Sequence, residues 1–251
     1  MNFLKEAVLN QLIRIPAVKE RAKRSHQTGI SHNPEMLMRQ YELLTKCTNV
    51  EGNDILELGP GMTNGVVLKA KENGAASVAI ADIERYLSKE ETEDQGIDYK
   101  IYDGRRIPFD DASFDLIWSS DVYEHVRFPQ LTVEETYRLL RPGGMVVHLI
   151  DLKDHFSYTS SDPDMVFNCL RYSKWQWEAM TWNRSNFVNR LRASEWIKLH
   201  ESLGFEIVNS DTLTSDHVVK NLPLEGKLDY LKGFSESDAV TTEIHLTAKK
   251  K

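Results

Sequence analysis

Ile55-Leu56-Glu57-Leu58-Gly59-Pro60-Gly61-Met62-Thr63-Asn64-Gly65 places a short apolar run directly before a glycine-bearing turn and a helix. Gly59 and Gly61 let the backbone turn sharply and approach a ligand with no Cβ in the way. Glu57, at the tip of the predicted strand, can face a cationic group. A second acid, Asp82, ends the apolar run Ser77-Val78-Ala79-Ile80-Ala81, roughly 20 residues after the turn, where an alternating strand and helix chain suits a ribose diol. This order describes a pocket for a nucleotide-like cofactor.

Outward from the turn, Asn33-Pro34 reads as a helix cap and first-turn proline, predicting a helix over Met36 to Cys47. Strand one covers Ile55 to Leu58, a helix runs from about Asn64 to Asn73 and stops at Gly74, and strand two is Ser77 to Asp82. A short helix from Ile83 to Ser88 precedes strand three near Tyr99 to Tyr102. Asp115 to Ser119 makes strand four, Gln130 to Leu140 a helix, and Pro142-Gly143-Gly144 a tight turn into strand five, Met145 to Ile150. Later, a helix over Ser194 to Leu203 closes at Gly204 and leads to strands Phe205 to Asn209 and Thr241 to Thr247. The alternation predicts an α/β chain with parallel strands and an antiparallel closing pair.

The 251 residues, 41% hydrophobic, suffice for one elaborated domain. It divides into an N-terminal helical cap (1–53), a cofactor-binding core (54–151), an acceptor-side insertion (152–193) and a C-terminal helix with a strand pair (194–251). A net charge of −7 argues against general attraction to nucleic-acid phosphates, so no nucleic-acid partner is expected. Cys47 and Cys169 are too few for a disulfide scaffold and suit a reducing cytoplasm, the expected location. No run reaches the roughly 20 apolar residues that a bilayer crossing needs. Phe3, Leu4, Val8, Leu12 and Ile13 form a helical stripe, followed by Lys19, Arg21, Lys23 and Arg24. The stripe reads as the core-facing side of a capping helix, with peripheral membrane contact through residues 1–24 as the other reading.

Asp103-Gly104-Arg105-Arg106-Ile107-Pro108-Phe109, Phe114-Asp115-Leu116-Ile117-Trp118-Ser119-Ser120, Tyr123-Glu124-His125-Val126 and Arg138-Leu139-Leu140-Arg141-Pro142-Gly143-Gly144 continue the series in order. Together with the turn at 59–61 these motifs, over roughly residues 54 to 151, resemble the class I S-adenosylmethionine-dependent methyltransferases of the type 11 group. The resemblance implies a Rossmann-like doubly wound sheet of seven strands and S-adenosylmethionine as cofactor. It also implies roles. Glu57 would face the donor's amino group, Gly59 and Gly61 would form the turn beneath its methionine portion, and Asp82, followed by Ile83, would take the ribose hydroxyls. Asp103 would accept the adenine amine beside Gly104, and Ser119 and Ser120 would sit near the transferable methyl. The chain departs from the family at Met62-Thr63-Asn64, where a third glycine is common. The same departure argues against a dinucleotide oxidoreductase.

The insertion carries Phe156, Tyr158, Phe167, Tyr172, Trp175, Trp177, Trp182 and Phe187, which suit either a lid over a flat acceptor or a self-packing subdomain. His148-Leu149-Ile150-Asp151-Leu152-Lys153-Asp154-His155, with 168–173 and 189–192, is similar to methyltransferases associated with glycan and polysaccharide biosynthesis. That similarity makes a sugar hydroxyl the expected acceptor. His155 is the expected base, oriented or replaced by Asp151, because a hydroxyl must lose its proton as the methyl bond forms. No metal is assigned, although His148, Asp151 and His155 were weighed as a ligand set. Arg190 and Arg192 read either as a clamp for an anionic acceptor or as surface charges. Small-molecule N- or O-methyl transfer in secondary metabolism and a noncatalytic nucleotide-binding module are the alternative functions.

Overall fold

The computed structural model describes residues 1–25, 33–214 and 234–251. Its centre is a seven-stranded sheet: β1 (Asp54–Leu58), β2 (Ser77–Asp82), β3 (Ile97–Ile101), β4 (Phe114–Ser120), β5 (Leu140–Asp151), β6 (Phe205–Thr214) and β7 (Thr241–Lys250). The spatial order is β3-β2-β1-β4-β5-β7-β6. β1 to β5 pair in parallel, whereas β7 runs antiparallel to both β5 and β6. This is the expected Rossmann-like doubly wound arrangement. The chain moves outward through β1, β2 and β3 and then returns to β4 on the other side of β1. That reversal opens a crevice at the carboxyl ends of β1 and β4, where such sheets hold ligands.

The central strands are apolar on both faces because helices cover both. Leu56, Leu58, Ile117 and Trp196 belong to one core, and Ile55, Ile80, Val67 and Trp118 to the other. Helices α3 (Pro34–Thr45) and α4 (Gly65–Glu72) lie over the second core, while α5 (Pro129–Leu139) and α7 (Ala193–Ser202) supply Val133, Leu139 and Trp196 to the first. Truncating a wholly buried leucine such as Leu56 should cost about 2–5 kcal/mol. Gly65 opens α4 where a Cβ would fall 1.9 Å from Leu37 Cδ1, so any larger residue there would push the Leu37 side chain aside and disturb the contact between α3 and α4.

Two local expectations are corrected. The stretch Ile83 to Ser88 is not helical. Asp82 Oδ1 accepts from the Ile83 amide at 2.7 Å, and the Tyr99 hydroxyl accepts from the Tyr86 amide while donating to the Glu84 carbonyl. These side-chain bonds substitute for the helical ladder. Pro142-Gly143-Gly144 is a bulge inside β5 rather than a turn before it, since Leu140 already pairs with Phe114 and the register shifts before Met145 meets Leu116.

The N-terminal helices α1 (Phe3–Leu12) and α2 (Pro16–Ser25) reverse the expectation for the apolar stripe. Leu4, Val8 and Leu12 are exposed, at 72%, 59% and 42%, while Glu6 and Asn10 are buried. Helix α1 docks through that polar face on α6 (Lys174–Thr181) and the loop after it. Asn10 donates to the Ala179 carbonyl at 2.9 Å and accepts from the Asn183 amide at 2.8 Å, and Glu6 pairs with Arg184 at 2.5 Å. Phe3 of the stripe packs edge-on to Trp175 against the insertion, but Leu4, Val8 and Leu12 face outward, so the helix docks chiefly through its polar side. The side chains of Lys23 and Arg24 lie outside those described. Among the described residues no helix is long and apolar enough to cross a membrane.

The insertion builds a third core from Phe167, Cys169, Leu170, Trp177, Met180, Phe187 and Val188, joined by Ala239 of the last helix, α8 (Glu236–Val240). Trp177 Nε1 donates to the Val188 carbonyl at 2.7 Å. Self-packing thus accounts for Phe167, Trp177 and Phe187, with Phe156 and Tyr172 packed against them. Tyr158 and Trp175 remain exposed, and Trp182 is partly so.

Candidate active site

On the donor side, Glu57 ends β1 beneath the turn and is 2% exposed. The Val67 amide, in the first turn of α4, donates to its carboxylate, while Oε2 is buried without a hydrogen-bond partner among the described residues. Burial and the nearby Asp82 charge push its carboxyl up to about 8. Gly59 and Gly61 both have positive φ, 63° and 66°. A Cβ on Gly59 would stand 2.7 Å from Val122 Cγ2, so neither the conformation nor the space admits another residue. Asp82 Oδ2 accepts from the Gly61 amide at 3.2 Å, which ties the end of β2 to the turn. Burial pushes Asp82 up to about 6 against the pull of the Gly61, Ile83 and Glu84 amides.

Farther along the mouth, Ile83 is 58% exposed, and a Cβ on Gly104 would lie no closer than 4.0 Å to Ile83 Cγ2. A flat ring fits such an open apolar edge. Asp103 is at the surface, where Oδ1 caps the Arg105 and Arg106 amides at 2.9 and 3.2 Å and holds its carboxyl below the usual range. An orphaned buried carboxylate oxygen, a glycine turn with no room for Cβ and a strand-end acid suit an aminoacyl nucleoside with a cationic amine.

On the acceptor side, the end of β5, the short 3-10 turn Tyr123–His125 and a second one, His155–Thr159, bring together Asp151, Glu124, His125 and His155. His155 Nε2 lies 3.5 Å from Asp151 Oδ2 and 4.0 Å from Glu124 Oε1. Burial alone would raise Asp151, but His155, the Lys153 charge and the Tyr158 hydroxyl together hold it below the usual carboxylate value. Lys153 N caps Asp151 Oδ1 at 2.9 Å, and the Tyr158 hydroxyl donates to Oδ2. Glu124 is 2% exposed, and neither carboxylate oxygen has a hydrogen-bond partner among the described residues. Desolvation, then the charges of Asp121 and Asp151, raise its carboxyl well above normal. His125 Nδ1 lies 2.7 Å from the Phe187 carbonyl. Desolvation lowers this imidazole to about 3.

The structure joins His155 to Asp151 and Glu57 to Asp82, and it moves other residues out of the cleft. Ser119 is wholly buried, its hydroxyl engaged 2.9 Å from His148 Nδ1. Ser120, on the opposite face, lies at the crevice, 3.3 Å from Asp121 Oδ2. His148 stacks on Tyr123 in the core at 3.7 Å, which removes it from any ligand set with Asp151 and His155. Asp154 caps Phe156 and accepts from Asn168, a structural task.

Arg190 and Arg192 form neither an acceptor clamp nor a surface pair. Both are buried; Arg190 donates to the Tyr172 carbonyl, and Arg192 to the carbonyls of Leu152, Asp238 and Thr241. Sequence reasoning assigned no role to Glu124. Its only signal was an acid flanking a histidine directly after strand four.

Residues 56–148 match the methyltransferase domain family. The matched stretch begins inside β1 and runs through most of β5, and so takes in Glu57, Gly59, Gly61, Asp82 and Asp103. Over 124 residues the chain is 27% identical to a sarcosine/dimethylglycine N-methyltransferase of Aphanothece halophytica, covering 47% of this chain and 40% of that enzyme. It is 34% identical over 89 residues to a malonyl-[acyl-carrier protein] O-methyltransferase of Enterobacter lignolyticus, 35% of this chain and 34% of that one. The chain thus spans well under half the length of these curated relatives. A geranyl diphosphate C-methyltransferase from Streptomyces coelicolor, solved with Mg2+, geranyl diphosphate and S-adenosyl-L-homocysteine, superposes with a TM-score of 0.57 at 14% identity over 90% of this chain and 91% of that one. The likeness establishes the shared fold.

Proposed function

We propose that this chain is an S-adenosylmethionine-dependent methyltransferase that O-methylates a sugar or glycan-type acceptor. The observation that carries the donor half is the buried, unpartnered Glu57 oxygen beside a turn that excludes side chains. Bound S-adenosylmethionine supplies an electrophilic methyl group on a sulfonium. Glu57 accepts from its ammonium, Asp82 accepts from the ribose hydroxyls, and the free oxygen of Asp103 accepts from the adenine amine while Ile83 and Gly104 border the ring. Positioning and exclusion of water are most of what the protein contributes to such a transfer.

On the acceptor side His155 takes the hydroxyl proton and Asp151 orients the imidazole. Tyr158, exposed and hydrogen-bonded to Asp151, offers a ring face beside the reacting hydroxyl. A small-molecule N- or O-acceptor is the second reading, favoured by the similarity to the sarcosine and malonyl-carrier enzymes. Calorimetry with S-adenosylmethionine, S-adenosylhomocysteine and NAD tests the donor; binding of NAD alone overturns it. Incubation of glycan, lipid-linked glycan and small-molecule extract fractions with labelled donor tests the acceptor, and label confined to small amines would reject the sugar.

Cytoplasmic placement belongs to the same proposal, supported by the free thiols Cys47 and Cys169. Peripheral membrane contact through residues 1–24 is supported by the exposed stripe of α1 and its basic neighbours Lys5, Arg14, Lys19 and Arg21. Co-sedimentation with anionic vesicles should fall in a Leu4→Ser, Val8→Ser, Leu12→Ser variant. Equal pelleting of the two proteins would sink the contact.

A further inference from the structure

We propose that Glu124, His125 and His155 form a binding site for a divalent transition-metal ion on the acceptor side of the cleft. One carboxylate oxygen and one ring nitrogen from each histidine lie within 4.8 Å of one another. Ligand bonds of about 2.0–2.2 Å require these atoms to close by roughly an ångström, a shift within reach of side-chain rotation.

Three observations point to an ion rather than to an internal hydrogen-bond network. Glu124 is buried with both oxygens unpartnered among the described residues, and its carboxylate faces the two imidazoles. A buried carboxyl in that condition either keeps its proton or has a cation beside it, and two imidazoles facing it supply the further ligands that a cation needs. The second observation concerns His125. A carbonyl only accepts, so the 2.7 Å contact with Phe187 O puts the ring proton on Nδ1 and leaves the Nε2 lone pair bare. That arrangement, one ring nitrogen donating to a backbone carbonyl and the other free, is the usual way a protein orients a metal-binding imidazole. Third, His155 Nε2 stands between Asp151 Oδ2 at 3.5 Å and Glu124 Oε1 at 4.0 Å, beyond good hydrogen-bond length to either, and its ring packs edge-on to His125 with centroids 4.6 Å apart.

The surrounding charge agrees. Asp121, Glu124 and Asp151 gather at this end of the sheet, and the ammonium recorded among them, Lys153 Nζ, is 3.5 Å from Asp151 Oδ1. Two imidazoles and a carboxylate favour zinc, iron, cobalt or nickel over magnesium or calcium, which prefer oxygen ligands throughout. Three protein ligands leave coordination positions open toward the cleft. An acceptor oxygen can take one of them, where the ion would orient the hydroxyl and ease loss of its proton, which Asp151 rather than the metal-bound His155 nitrogen would then accept. This last role rests on the methyl-transfer reading; the site itself does not.

Cobalt(II) is the probe. The full chain, stripped with chelator, should bind one equivalent with micromolar or tighter affinity, with visible absorption bands and paramagnetically shifted ring-proton resonances from two histidines. One of these should be a slowly exchanging N–H, the His125 proton held by Phe187. Glu124→Gln and His155→Asn should each weaken binding at least tenfold while far-ultraviolet dichroism stays native. Because Glu124 is buried and its variant could fail to fold, the two-histidine signature of the wild-type protein stands as the independent readout. Absence of stoichiometric binding, shifted signals from fewer than two histidines, or unchanged affinity in both folded variants would overturn the site. S-adenosylhomocysteine calorimetry on the stripped protein separates the two claims: cobalt binding without nucleoside binding keeps the metal site and removes its role in methyl transfer.

Discussion

On the donor side, Glu57 and Asp82 sit at the ends of neighbouring strands and are held largely by amides of the turn and of the residues that follow them. On the acceptor side, Glu124 and His125 come from one short turn and His155 from another, held in place by the Phe187 carbonyl and by a subdomain that Arg190 and Arg192 fasten. The first half is fixed by local geometry and the second by long-range packing. Donor binding should therefore survive damage that abolishes turnover, and the acceptor side should be the first to loosen.

The sharpest separation comes from His155→Ala, expected to lower turnover about 10²- to 10⁴-fold while the donor dissociation constant stays roughly unchanged. Labelled-methyl transfer and calorimetry on the same preparation measure both, and a matching loss of donor affinity would break the division. Arg192→Met removes a charged donor from four carbonyls while roughly preserving volume, and should destabilise the chain by about 3 kcal/mol. Chemical denaturation gives that figure; a loss below about 1 kcal/mol would mean the insertion is held by its own core.

Asp82→Ala should weaken donor binding about 10- to 100-fold, because hydrogen bonds to a charged acceptor are the stronger kind. Maximal turnover at saturating donor should change less.

The smallest expected effect is with pH. Asp82 titrates near 6, above its unfolded value of about 4. Its ionisation therefore penalises the folded state, and its contribution to stability is full below about pH 4 and lost as pH rises through 6. Donor affinity moves the opposite way and should strengthen as pH rises from 5 to 7. Glu57, near 8, should release a proton on binding the cationic amine at neutral pH, visible as a dependence of calorimetric heat on buffer. Flat affinity across that range would show that the strand-end acids do not touch the donor.

The same contrast explains what could be read from residues alone. The strand and helix order, the turn and the strand-end acids were legible because each rests on neighbours in sequence. Strand alternation could have separated Ser119 from Ser120, since adjacent side chains point to opposite faces and only one can border the cleft. The fate of Arg192 was not legible, because its partners lie up to 49 residues away. Neither was the orientation of α1, whose Leu4, Val8 and Leu12 obey the usual helical spacing and still face outward. Nothing local revealed that Asn10 would find two hydrogen-bonding sites on α6 and its loop.

The bond between Asn10 and the Asn183 amide joins positions 173 residues apart, and it has a consequence for biogenesis. Helix α1 is synthesised well before α6, and must wait for the intervening chain to be translated before its docking surface exists. Through that interval both its faces are open to other encounters. The helix is thus a late arrival in folding and an early departure under stress, and native-state hydrogen exchange should find its amides opening ahead of those in β1.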